Sequence, residues 1–475
     1  MLPTASKATL LLSLIIVNAG AIAEEPALPT GLGVESEPGL PSGLESGPAL
    51  PAGLASASQN ENDRDDEGDD WQDEERWQFD GFWEARWGQW QEDQRYLSRQ
   101  PIAESRLHLA TERAYNKATF NLSADLLYDN VSTEQDAKLE SGQGWLDLRT
   151  ANIVFSALAN TDIRLGRQIL TWGTGDLIFI NDLFPKDWNS FLTGRDDSYL
   201  KAPSDAVKLS LFSNTVNLDL VYTPRFDADR YIDGERVSYY NASLGRIAGT
   251  DALVIAEKPA QWFEDDEFAL RLYRNISAYE VALYGYSGFW KSPGGATPIT
   301  GNAIFPRLNV YGASLRGPLL GGIVNGEWGY YDSIDDASGN NPLINNSEQR
   351  LLLGYEHELI ANLTLAIQLY STRMQNYDAY RQALPGALSA TAQNRHEIST
   401  RVTWLALNQK LTTSLFLRYS ASDKDYYLRP KFHYAVDDHW SYELGANIFY
   451  GEQADTFFGQ FKHSDNIYAA LRYGF

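Results

Sequence analysis

The sequence predicts a transmembrane antiparallel β-barrel of about 18 strands. Three observations carry that expectation. From about residue 77 onward the chain runs in segments of 10–14 residues that alternate apolar and polar side chains, the period of a strand with one greasy face. The connections between segments alternate between tight turns and long loops, the pattern of barrels that cross a membrane. The composition is rich in aromatics (13%, with 27 Tyr and 13 Trp) yet carries a negative mean hydropathy of −0.37, which suits a polar lumen inside an aromatic-girdled wall.

The strands are read at about 77–89, 101–115, 117–128, 142–157, 160–172, 204–213, 215–224, 267–276, 278–290, 306–316, 318–331, 348–359, 362–373, 394–407, 410–420, 425–436, 439–450 and 462–475. The clearest alternation sets Phe120, Leu122, Ala124, Leu126 and Tyr128 against Asn121, Ser123 and Asp125. Others set Val216, Leu218, Leu220 and Tyr222 against Asn217 and Asp219, and Leu363, Leu365, Ile367 and Leu369 against Thr364 and Gln368. Tight turns are read at Asn116, Ala159, Asn214, Ser277, Gly317-Pro318, Ile360-Ala361, Asn408-Gln409 and Asp437-Asp438. The loops at 173–203 and 225–266 are the longest, at about 30 and 40 residues. An even strand count places both ends of the barrel on the turn side, expected to be the periplasm. No blade-length motif repeats, which argues against a soluble propeller. The chain closes on Leu471, Tyr473 and Phe475 at alternate positions, which resembles the signal by which barrels are handed to the outer-membrane insertion machinery.

Ahead of the barrel two further segments are expected. Residues 1–23 read as a secretory signal: Lys7, an apolar run from Ala8 to Val17, and Ala21-Ile22-Ala23 before Glu24. The run is too short to span a hydrocarbon layer about 30 Å thick. Residues 24–76 read as a disordered periplasmic segment. It repeats P-x-L-P-x-G-L at Pro26–Leu32, Pro38–Leu44 and Pro48–Leu54, and then becomes strongly acidic. A weak calcium-loop candidate lies there (Asp63, Asp65, Glu67 and Glu74). Asp70 stands where an apolar residue should lock such a loop, and no helix can precede it, so a solvated acidic linker is the better reading. Of the formal charge of −24, residues 24–80 hold −14 (16 acids, 2 bases). Once Lys7 leaves with the signal, residues 81–475 hold −11.

Several function classes are excluded. Net acidity argues against nucleic-acid binding. Zero Cys removes disulfides, Cys-ligated metals and thiol nucleophiles. There is no G-x-S-x-G elbow and no H-E-x-x-H, and the six His (His108, His357, His396, His433, His439, His463) are scattered. The expectation is therefore no enzyme and no cofactor. Residues 24–76 are also too short for the plug domain of an energised receptor.

An 18-strand barrel encloses an aqueous lumen unless loops fill it. Alternation turns toward that lumen the bases Arg86, Arg106, Arg149, Arg164, Lys208, Arg271, Arg401, Arg418, Arg429, Lys431 and Arg472. It does the same for the acids Glu84, Asp125, Asp147, Asp219, Glu280, Glu327, Glu356, Glu397 and Glu443. The two sets nearly balance, so charge selectivity does not follow, and each pair serves equally well as cross-strand support.

The third external loop is the most distinctive stretch. It carries Leu177, Ile178, Phe179, Ile180, Leu183, Phe184, Trp188 and Phe191, too much apolar surface to float in water. It is predicted to fold into the barrel and narrow it. Its charges Asp176, Asp182, Lys186, Asp187, Arg195, Asp196 and Asp197 are then constriction candidates.

Gly166-Arg167-Gln168, followed after three residues by Trp172-Gly173 and then by Asp176, Asp182, Pro185 and Asp187, resembles the signature of a porin-like proteobacterial outer-membrane family of unknown function. It is also distantly similar to alginate-export barrels. The family pattern has Asn-Pro before the last Asp, where this chain has Phe184-Pro185-Lys186-Asp187. The resemblance covers about 25 residues and implies residence in the outer membrane of a Gram-negative bacterium and solute passage, with no substrate named. The expected function is a passive channel for a small or medium solute. The alternative is an accessory barrel of an export, efflux or polysaccharide-secretion system, docking a periplasmic protein through its N-terminal segment. Expected partners are outer-membrane lipid, the insertion machinery and a solute or polymer, with no nucleic acid.

Overall fold

A computed structural model describes residues 77–132, 136–386 and 390–475. The proposed signal, the Pro/Gly-rich acidic segment and the calcium-loop candidate lie outside the described residues. Eighteen strands form one closed antiparallel barrel: β1 (Gln78–Trp90), β2 (Ala103–Tyr115), β3 (Ala118–Asp129), β4 (Leu146–Leu158), β5 (Thr161–Ile169), β6 (Pro203–Leu211), β7 (Asn217–Thr223), β8 (Glu267–Ile276), β9 (Tyr279–Phe289), β10 (Arg307–Leu319), β11 (Gly322–Ser333), β12 (Glu348–Ile360), β13 (Leu363–Met374), β14 (Asn394–Ala406), β15 (Leu411–Ser420), β16 (Asp425–Ala435), β17 (Trp440–Gly451) and β18 (Asn466–Gly474). Each strand pairs with its sequence neighbours. The sheet closes where β1 meets β18, from Phe82 opposite Gly474 to Trp90 opposite Asn466. Gly81 and Phe475 exchange two further backbone hydrogen bonds of 3.2 and 3.0 Å. Closure removes every edge of the barrel sheet, which a wall in hydrocarbon requires.

The register fixes which side chains face out. Outward positions of the mid-wall are leucines, such as Leu283, Leu353, Leu369 and Leu444, each more than half exposed. Inward positions are charged and largely buried, such as Arg106 and Asp125. Aromatics stack on the outer surface toward both ends. Tyr426 and Tyr450 lie 5.3 Å apart near the loop end, and Trp440 and Tyr473 lie 4.8 Å apart near the turn end.

One end carries only short turns. Asn116, Ser277, Asn362 and Asn408 adopt left-handed backbone there, a conformation that Asn tolerates better than most residues. One turn differs from the sequence reading. Gly317 and Pro318 do not reverse the chain; they pair with Val324 and Ile323, and the reversal falls at Leu320-Gly321. Strand β9 begins only at Tyr279, whose ring lies against Gly317 and whose hydroxyl donates to the Pro318 carbonyl at 2.7 Å. With the neighbouring strand absent beyond that point, a proline removes no ladder bond and the strand continues through it.

The opposite end carries the long loops. L3 (170–202) begins three residues earlier than the sequence suggested, because β5 ends at Ile169. L2 (130–145), L4 (224–266) and L9 (452–465) cover the same end.

Leu283 sits at the middle of β9 on the outer face. Leu283→Arg is expected to destabilise the lipid-embedded barrel by about 2–4 kcal/mol. Arg at Ile299, in the exposed loop after β9, is expected to be neutral. Urea titration of both variants folded into phospholipid vesicles checks the difference.

Candidate lumen constriction

L3 leaves the wall through the glycine-rich stretch singled out in the sequence. Gly166 has φ +110, and a side chain there would meet the Ala151 carbonyl oxygen at 2.4 Å. Gln168 points inward and donates to the carbonyls of Ala206 (2.9 Å) and Gly166 (3.1 Å). Arg167 points the other way, to the outer face, and grips Asp205 with two bonds of 2.8 and 2.7 Å. Trp172 packs edge-on against Phe184 at 4.9 Å and beside Tyr284 at 6.0 Å. Gly173 has φ +84, and a Cβ there would approach the Glu327 carboxylate to 3.0 Å.

Glu327, projecting inward from β11, anchors the first bend. Its carboxylate accepts from the backbone amides of Thr174, Gly175 (2.8 Å) and Asn181 (3.2 Å) and from the Asn181 side chain (2.9 Å). The neck of the loop is closed by backbone bonds from Asp187 to the Leu200 carbonyl (2.7 Å) and from Ala202 to the Pro185 carbonyl (3.0 Å). Asp187 also caps the short helix α1 (Trp188–Thr193) by accepting from Ser190.

The apolar residues of L3 pack on two faces of the wall. Ile178, Ile180 and Phe184 join Ala206, Val221, Ala269, Tyr331 and Leu352 in one buried cluster. Phe191, Leu192 and Leu200 join Phe416, Tyr427 and Phe449, together with Val237 of L4 and Phe458 and Phe461 of L9, in another. The loop therefore crosses the barrel from the β6–β13 side to the β15–β17 side. Gly194 (φ +89) fits where any Cβ would strike the Tyr468 ring, and its carbonyl accepts from Arg86 at 2.6 Å.

The charged residues of L3 divide into two groups. Asp182, Lys186, Asp187 and Arg195 are buried; the first three hold the loop's own fold, and Arg195 ties it to the wall. Asp182 pairs with Lys186 (3.0 Å) and accepts from Thr171 (2.8 Å). Arg195 grips Glu104 at 2.8 Å. Asp176, Asp196 and Asp197 instead face wall bases in water-accessible positions. Asp176 takes a bidentate pair from Arg401 (2.6 and 2.9 Å). Asp197 accepts from Arg429 and from Lys431 (3.2 Å), and Asp196 from Arg472 (3.3 Å). Partial burial pushes the Asp196 carboxyl up, but Arg472 and Lys431 outweigh it and hold it at about 2. Asp197 is also held below its ordinary range despite partial burial, chiefly by Arg429 and Lys431. Arg106 and Arg149 lie over the buried Tyr199 ring at 4.1 and 4.9 Å.

The remaining lumen candidates lie around this loop. Lys208 faces Asp219 (3.5 Å), Arg271 bonds Glu280 (2.7 Å) and Arg418 bonds Glu397 (2.6 Å). Arg164 lies opposite Lys208 in the register. Sequence reading missed Glu104, which alternation with Arg106 could have exposed. It also missed Arg230 of L4, which bonds Asp147 at 2.7 and 3.0 Å and approaches Asp187 at 3.4 Å. Nothing in the sequence marks L4 as a second infolded loop.

No protein-family model and no curated protein matches this chain. Solved structures do. OccAB4 of Acinetobacter baumannii is similar over 84% of this chain and 97% of its own, with 10% identity and a TM-score of 0.50. OccD3 (OpdP) of Pseudomonas aeruginosa aligns over 84% and 91%, with 12% identity and a TM-score of 0.49. The outer membrane channel DcaP of A. baumannii aligns over 84% and 97%, with 10% identity and a TM-score of 0.39. The likeness is one of fold.

Glu327→Ala removes a charged acceptor of five hydrogen bonds, one of them from the Thr174 hydroxyl, each worth about 1.5–3 kcal/mol when made to a charged group. L3 is expected to loosen, with trypsin cutting at Lys186 or Arg195 in the folded variant while the parent resists. The pH sign follows from the lowered carboxyl of Asp196. Its tie to Arg472 is fully present above the ordinary value of 3.8 and is lost only as pH falls through about 2. Resistance at Arg195 in the parent protein, measured with proteases active at each pH, is therefore expected to be unchanged between pH 8 and pH 5.

Proposed function

We propose that this chain is a porin-like channel of the Gram-negative outer membrane, passing a small or medium solute passively through a lumen narrowed by L3. One observation carries the reading. Inside the wall, Asp176, Asp196, Asp197, Arg401, Lys431 and Arg472 each keep roughly a fifth to a third of their side chains in water, while the loop core beside them is buried. A barrel serving only as a scaffold needs no hydrated ion pairs within it. The apolar outer belt supports the membrane location, and the turn end then faces the periplasm.

The finer assignments belong to the same reading. Residues 1–23 serve as the signal, 24–76 as a periplasmic segment and 77–475 as the barrel. The G-R-Q and W-G elements resemble the signature of a porin-like outer-membrane family, and their work here is to steer L3 off the wall. Asp176, Asp196 and Asp197, with Arg401, Lys431 and Arg472 opposite, line the narrowed passage.

Purified protein in planar bilayers is expected to give discrete single-channel steps. Replacing residues 174–198 with a short Gly-Ser link is expected to raise the step several-fold. A parent barrel that never conducts, in either polarity and across salts, would sink the proposal.

A further inference from the structure

The wall between β12 and β15 carries charges of alternating sign from the loop end down to the constriction. On β14 the positions facing the lumen run Arg395, Glu397, Ser399 and Arg401, in order toward the turn end. Neighbouring strands supply the partners. Glu348 of β12 accepts from Arg350 at 2.6 Å and lies 3.8 Å from Arg395. Glu397 accepts from Arg418 of β15 at 2.6 Å. One level further in, Gln368 of β13 accepts from Ser399 (3.4 Å) and from the Asp176 amide of L3 (3.2 Å). The track then reaches the Arg401–Asp176 pair, whose side chains remain 21% and 36% exposed.

The bases of this track have a second support besides their acids. Arg350 lies over the Tyr331 ring at 3.8 Å, Arg401 over Phe416 at 5.1 Å and Arg418 over Tyr370 at 5.9 Å. A guanidinium seated on an aromatic face keeps its place when its carboxylate partner turns away. Each couple is therefore open to exchange. An incoming carboxylate can take the Arg401 fork bidentately in place of Asp176. That leaves Asp176 without a cation in a partly buried setting, which is unfavourable. An incoming cation on Asp176 alone leaves Arg401 in the same position. A solute carrying both charges a few bonds apart satisfies both partners at once. Because opposite signs alternate along the track, it forms no run of like charge that would select a net charge.

We infer that this track is a relay for zwitterionic solutes, with Arg401 taking the solute's anionic group and Asp176 its cationic group at the constriction. The couples Arg418–Glu397 and Arg350–Glu348 offer the same two contacts nearer the loop end. The inference rests on the channel reading above and names the solute class for it.

Tracer uptake into proteoliposomes, with two matched couples of solutes, tests this. Glycine betaine and choline differ by a carboxylate against a hydroxymethyl group. Taurine and isethionate differ by an ammonium against a hydroxyl. The parent is expected to pass the zwitterion of each couple severalfold faster than its singly charged mate. Asp176→Asn keeps only the base and is expected to pass isethionate faster than taurine. Arg401→Gln keeps only the acid and is expected to pass choline faster than glycine betaine. The double variant is expected to lose both preferences. A merely loosened L3 raises all four fluxes together, so the opposed shifts separate an exchange site from a loop tie. Equal passage within both couples by the parent, or single variants that shift the same way, overturns the inference. Potassium chloride conductance of the parent in planar bilayers keeps the two readings apart. A parent that conducts the salt yet does not favour zwitterions fails only the present inference. One that passes neither salt nor solute fails the channel reading and this inference with it.

Discussion

Inside a hydrocarbon layer no water is present to satisfy backbone amides, so each must bond to a neighbouring strand. That constraint shapes the rest of the molecule. It forces closure, here completed where β1 meets β18 and Gly81 exchanges bonds with Phe475. Closure with period-two side chains then divides every strand into a lipid face and an interior face. The leucines at 283, 353, 369 and 444 and the charges at 84, 86, 106 and 125 are two results of one rule.

The same rule explains what was legible in the sequence. Alternation is a local signal, and all 18 strands fall within a few residues of where it puts them. It failed at Gly317-Pro318 because the residue types of a turn also suit a strand whose neighbour has ended; only the register of β9 reveals that. L3 was legible as an infolded loop because its apolar content has no other refuge. Its partners were not. Thr174 meets Glu327 across 153 residues and Asp176 meets Arg401 across 225, and periodicity carries no information at that range. L4 folds inward through Arg230 and Val237, which no local periodicity distinguishes from their neighbours.

The interior illustrates how a cavity can hold many charges. Arg86 lies between Glu84 and Glu443, Arg106 between Glu104 and Asp125, and Arg230 reaches Asp147 and Asp187. Each buried cation has at least one carboxylate, which desolvation demands. The lumen thus neutralises itself, and the formal excess of −11 over residues 81–475 says little about what crosses it.

Ion pairs of this kind add little net stability, because desolvation offsets much of the attraction. Their contribution to L3 is orientation. An apolar loop lying on an apolar wall has many poses of similar energy, since dispersion contacts are individually weak and undirected. A bidentate pair such as Arg401–Asp176 admits far fewer, because the planar fork must meet both oxygens at once. Arg401, the pair Arg429–Lys431, and Arg472 project from three different strands onto three acids of the loop. Three fixed points determine a rigid body's placement. The burial of Phe184 and Phe191 holds the loop in the barrel, and the acids at 176, 196 and 197, with Glu327 at the first bend and Arg195 on Glu104, decide where in the barrel it rests.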